Sequence, residues 1–164
     1  KHVEFLKFID LPRCSKQEFE LALAWQDEKD QQAIPQLKSH GWRIIDGISL
    51  SLDTAPYREY ILRSRGEFTV AKDQNIRLRS GWFSDRSACY LAAGKPVVTQ
   101  DTAFGNILPV GRGLFAFRNM DDILTAIETI EGDYDRHSRA AREIAQEYFA
   151  TENVLRSLME RVGL

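Results

Sequence analysis

The sequence is short of the residues that carry the commonest chemistries. Cysteine occurs twice, as Cys14 and Cys89, far apart and without metal-ligand spacing. No disulfide framework follows, and two free thiols in a reducing compartment are expected. Cys89 lies among Ala88, Tyr90, Leu91 and Ala92, where a small buried core residue is expected. His2, His40 and His137 are scattered. His40 stands at an expected helix end before Gly41 and His137 on a charged helix face, so neither reads as a ligand or a base. G-x-G-x-x-G, G-x-x-x-x-G-K-[ST] and G-x-S-x-G are all missing. Their absence weighs against the dinucleotide fingerprint, the P-loop and the hydrolase nucleophile elbow. No apolar run approaches the length of a membrane span, and no signal peptide is visible. Charge of one sign is missing too. The formal net charge is -2, which implies no general polyanion-binding surface, and nucleic acid is not expected as a partner. The expected compartment is the cytoplasm.

What is present is a chain of 164 residues, enough for one domain with a real core. An apolar run over 3–8 begins almost at once and no initiating Met precedes it, which reads as a piece of a longer protein. Residues 3–8 read as a strand. Ser15 and Glu18 form a capping box for a helix reaching Trp25, with Phe19, Ala22 and Leu23 as its stripe. A helix over 30–40 follows, late or kinked at Pro35, then a strand over 42–45. Asp53 or Thr54 caps the next helix, with Pro56 in its first turn. Residues 67–71 read as a strand, 72–80 as a polar loop, and Ser84 or Asp85 starts a helix that Gly94 stops. Strands over 96–99 and 114–117 come next. Asn119 caps a helix with Ile123, Ile127 and Ile130 on one face. Asp133 caps another, bearing Ala141, Ile144, Ala145 and Tyr148, and the acid pair Asp133 and Asp135 reads as capping rather than metal binding. A last helix spans about 152–162. Strands and helices alternate, the pattern of a parallel sheet wrapped by helices.

In an open parallel sheet the ligand lies beyond the carboxyl ends of the strands, here the loops leaving Ala71, Thr99 and Phe117. The first holds Lys72, Arg77 and Arg79 and leads through Gly81 and Trp82 to Ser84, Asp85, Arg86 and Ser87. A helix start with unpaired amides, hydroxyls and nearby cations suits a phosphate or pyrophosphate. A capped helix beside a solvated basic loop explains the same residues. The second loop holds Gln100, Asp101 and Thr102, whose side chains can bond polyol hydroxyls or simply shape a turn.

Three stretches, "SRGEFTVAK", "SGWFSDRSACYLAAGKPVVTQDT" and "GNILPVGRGLFAF", resemble the C-terminal half of GT-B-type glycosyltransferases. Weaker likeness at "FELAL", "HGWRI", "YREYI" and "SRAAREIAQEYF" extends it over most of the chain. The resemblance implies an α/β, Rossmann-like three-layer domain over 1–164, with a mostly parallel sheet flanked by helices. It would be the half that binds a nucleotide-diphosphate sugar. Its own N-terminal half would bind the acceptor and supply the catalytic base of inverting members. On this resemblance Lys72, Gly81, Ser84, Asp85 and Arg86 take the donor diphosphate. Gln100 and Asp101 take the donor sugar, and Glu67, Arg77, Arg79 and Thr102 are secondary candidates. No metal or other cofactor is expected. The sequence departs from the family at three places. The helix before "AAGKPV" lacks the Glu that often holds the ribose, and Asp85 is the substitute on offer. Ser80 replaces a His that precedes the glycine-tryptophan turn of plant-type members, and Ala103 replaces an expected glycine. The alternative is a non-catalytic Rossmann-like binding or interaction module, in which Trp82 and Phe83 anchor a protein partner.

Overall fold

The computed structural model describes residues 1–24 and 28–163. The chain is mixed α/β and divides into two compact units, Lys1–Arg63 and Ser64–Leu164. One unit was expected.

The first unit contains α1 (His2–Leu6), α2 (Leu11–Cys14), β1 (Glu20–Leu23), α3 (Glu28–Ser39), β2 (Arg43–Asp46), α4 (Gly47–Ser51) and α5 (Thr54–Arg63). β1 and β2 pair in parallel, with Glu20 opposite Arg43 and Leu23 opposite Asp46. Trp42 organises this unit. Its ring meets Phe5 and Phe19 at centroid distances of 5.0 and 5.5 Å, and its Nε1 donates to the Ile9 carbonyl at 2.7 Å. His40 Nδ1 lies 2.7 Å from Asp10 Oδ1, fastening the α3 end to the turn before α2.

Two expectations fail here. Residues 3–8 are helical over His2–Leu6 and then turn, and the buried Phe8 and Leu11 anchor that turn and the start of α2 in the core. The expected helix from Ser15 is instead a loop and strand β1. Ser15 ends α2, and Glu18 pairs with Arg43 at 2.9 Å rather than closing a capping box. The helix-favouring run Glu20–Leu23 is overridden by pairing with β2. Trp25 lies outside the described residues. α3 runs through Pro35 rather than starting after it.

The second unit contains β3 (Glu67–Thr69), α6 (Asp73–Arg77), α7 (Asp85–Ala92), β4 (Val97–Gln100), a 3-10 turn at Phe104–Asn106, β5 (Leu114–Phe117), α8 (Met120–Gly132), α9 (Tyr134–Phe149) and α10 (Thr151–Val162). Its sheet is parallel in the order β3-β4-β5. All four β4 residues are buried, as a central parallel strand covered on both faces requires. α7 closes with a Schellman motif, in which Gly94 N donates to Leu91 O and Lys95 N to Tyr90 O. α8 opens with a complete capping box between Asn119 and Asp122. On α9, His137, Ala140, Ala141, Ile144 and Ala145 make one buried stripe. A short helix, α6, occupies the expected 72–80 loop. Among the described residues no helix is long and apolar enough to cross a membrane.

Two side chains lie opposite to expectation. Cys89 is exposed, because α7 buries Ser87, Tyr90 and Leu91 and residue 89 falls on the other side. His137 is buried. α9 approaches Gly113 so closely that a Cβ there would lie 2.5 Å from Ala141 N, and the backbone thereby meets the imidazole. Gly113 N donates to His137 Nδ1 at 3.2 Å, and Phe115 packs on the ring at 5.3 Å. Burial lowers the His137 pKa. Arg136 and Arg112 push the same way, against Asp133 and a hydrogen bond to the Thr129 backbone.

Because the folded-state pKa is depressed, His137 contributes stability that is complete above about pH 6.5, the ordinary imidazole value. That stability is lost as pH falls through the window below it. Urea midpoints measured between pH 7.5 and 5 should decline in the native chain. His137→Gln, which keeps an acceptor but cannot titrate, should flatten the decline. An equal slope in both proteins would remove His137 as its source.

Candidate functional site

The carboxyl ends of β3, β4 and β5 carry the residues of interest, and side-chain bonds tie their loops together. After β3, Val70 and Ala71 are buried and Lys72 emerges exposed at the start of α6. Arg77 is engaged by Asp73 at 2.7 Å. The chain then turns at Gly81, whose φ of +73° favours glycine although a Cβ would meet nothing within 4 Å. Gly81 N donates to Thr102 O at 2.8 Å, and Thr102 Oγ1 donates to Trp82 O at 2.6 Å. The β3–α7 loop is thus fixed to the end of β4.

Ser84 is the N-cap of α7 but makes no side-chain cap bond to it. Its hydroxyl instead lies 3.4 Å from Asp85 Oδ1, which accepts from Arg86 N at 2.9 Å. Ser87, in the same turn, is fully buried, and its hydroxyl has no partner among the described residues. Phe83 stacks on Phe149 at 5.6 Å and meets Phe104 at a tilt at 5.4 Å, so its ring is engaged by the protein itself.

Arg86 points along β3. Its Nε donates to Glu67 Oε1 at 2.6 Å and its NH2 to Thr69 Oγ1 at 2.9 Å. Glu67 opens β3 opposite Val97, the first residue of β4, and Thr69 closes it, so the Arg86 guanidinium spans the strand from its first residue to its last. Arg86 and Glu67 therefore brace α7 against the sheet.

The expected sugar end is turned inward. Gln100 is buried and its Oε1 accepts from Ala71 N at 3.1 Å, joining β4 to β3 beyond their ladder. Thr102 is fully buried. Asp101 Oδ1 accepts from Ala103 N at 2.7 Å, and Oδ2 accepts from Arg118 Nε at 2.8 Å and NH2 at 2.7 Å, with Arg79 NH1 at 3.6 Å. Burial opposes ionisation of Asp101, but the Ala103 bond and the two guanidinium groups outweigh it and hold the carboxyl below the ordinary range. Ala103 itself has φ +75°, a left-handed conformation that costs a non-glycine residue about 1 kcal/mol. That is the physical reason for a glycine at this place.

Sequence reasoning missed Arg118. The signal was its position immediately after β5, at the carboxyl edge already singled out. A cleft of about 530 Å³ opens beside it, lined in part by Asn119, Asp122, Thr125 and Thr129. Among the described residues no group of His, Cys, Asp or Glu could hold a metal ion. Compared with protein-family models, curated proteins and solved structures, the chain matches none.

Removing one partner of the Glu67–Arg86 pair leaves a largely buried charge. Arg86→Met should therefore destabilise the chain by about 2 kcal/mol, discounted because the guanidinium is partly exposed. Glu67→Leu combined with Arg86→Met should recover most of the loss. A urea-denaturation cycle reads this directly, and simple additivity of the two changes would refute the brace.

Proposed function

We propose that the chain is the donor-binding half of a glycosyltransferase that uses a nucleotide-diphosphate sugar. One observation carries the reading. Lys72, without an ion pair among the described residues, and the start of α7, to which Ser84 gives no side-chain cap, both stand in loops leaving the carboxyl end of a parallel sheet. The bonds of Gly81 and Trp82 to Thr102 fasten those loops to the central strand. In this reading the α7 amides, Gly81, Ser84 and Lys72 hold the diphosphate. They stabilise it as it departs, by preorganised donors and the helix dipole. Asp85 orients the first turn, while Arg86, with Glu67, positions the helix. Gln100 and Thr102 position the loops. An N-terminal half binds the acceptor and supplies the catalytic base of an inverting enzyme.

The test is calorimetric titration with UDP, TDP and GDP. One of them should bind, and Lys72→Ala should weaken it about tenfold through loss of a charge-assisted bond. No binding at millimolar concentration would favour the non-catalytic module instead.

A further inference from the structure

We infer that Arg79 and Arg118 form a second anion-binding point at the carboxyl edge of β4, and that its ligand is the carboxylate of a sugar acid. The inference rests on the donor-binding reading above and adds the class of sugar. The decisive feature is which groups face outward. The Asp101 side chain is only 10% exposed, whereas those of Arg79 and Arg118 are 55% and 71% exposed. The carboxylate lies beneath and the guanidinium groups lie above it. Gln100 and Thr102, the other expected contacts for sugar hydroxyls, are buried and bonded inward. The edge therefore presents donors where acceptors were expected.

Two guanidinium groups share the Asp101 carboxylate, and Asp122, the second carboxylate of the cleft wall, brings the formal charge of these four side chains to zero. Arg118 engages Asp101 through Nε and NH2, so its NH1 remains for a ligand. Arg79 holds a left-handed backbone, φ +47°, at a non-glycine residue. Lys72 stands on the same edge and adds a positive charge. The cleft beside Arg118 has the hydroxyls of Thr125 and Thr129 and the amide of Asn119 in its wall, groups suited to a polyhydroxylated ring. Its second carboxylate, Asp122, accepts from Arg118 N and Asn119 N through Oδ2, within the capping box. A carboxylate matches the guanidinium fork in shape as well as in charge.

The experiment is titration of the full chain with UDP, UDP-glucose and UDP-glucuronate, and with GDP, GDP-mannose and GDP-mannuronate. UDP or GDP alone serves as the reference within each protein. The sugar acid should bind about tenfold more tightly than its neutral counterpart. The preference should vanish in Arg118→Met and shrink in Arg118→Lys, which keeps the charge but not the fork. Arg79→Met supplies the same comparison where Arg118→Met does not fold. Equal affinity for acid and neutral sugars, or a preference that survives the arginine variants, overturns the inference and leaves the donor reading standing. Failure of every nucleotide to bind overturns both.

Discussion

A single carboxylate fastens three loops of the second unit. Asp101 follows β4, accepts from the loop amide of Ala103, and is bracketed by Arg118 after β5 and Arg79 from the loop after β3. Any side chain placed on that edge inherits its position from this junction. The junction stays ionised over the ordinary range of pH, because its bonds hold the carboxyl below the usual carboxylate value. Thr102 adds a second tie to the same loops, and Gln100 a third, from β4 to the residue after the β3 ladder. Buried polar groups bonded this fully restrict the loops far more than exposed pairs would, since leaving any one of them unpaired in the interior is unfavourable.

The opposite end of the same sheet is held by close packing. Gly113 lets α9 approach the start of β5, and Gly113 O accepts from Val97 N. The first-turn brace from Arg86 to Glu67 runs between the two ends, along β3. α7 is therefore tied to the sheet at its start and stopped sharply by Gly94 at its finish. A helix fixed at both ends presents its N-terminal amides at a constant place, which is what preorganised binding of an anion needs.

Much of the second unit was legible in the sequence. The strand at Leu114–Phe117, the Asn119 and Asp133 caps and the apolar stripe of α9 all rest on local signals, which propensity and periodicity capture. The first unit was less legible, because tertiary contacts outvote local preference there. Trp42 recruits Phe5 and Phe19 from segments whose local pattern reads as a strand and a helix. At the edge of the sheet, the loops that matter were legible but the direction of each side chain was not. Residue type could not reveal that Asp101 and Gln100 are consumed by backbone amides and arginines. Nor could it show that His137 is buried, since that depends on how closely a glycine admits α9.

Net charge conceals how the charges are sorted. The chain is slightly acidic overall, which argues against a general polyanion-binding surface. Yet Lys72, Arg79 and Arg118 are exposed around one edge of the second unit, while Asp101 lies beneath its arginines. Asp121 and Asp122, in the first turn of α8, stand at the same edge just after Arg118, while Glu128 and Glu143 are exposed further along α8 and α9. Attraction between exposed charges fades within about 10 Å at moderate salt, so each group at the edge responds to its neighbours rather than to the sum over the chain. Cations and carboxylates alternate where the sheet ends, and the place of each depends on geometry set by Asp101, Thr102 and Gln100.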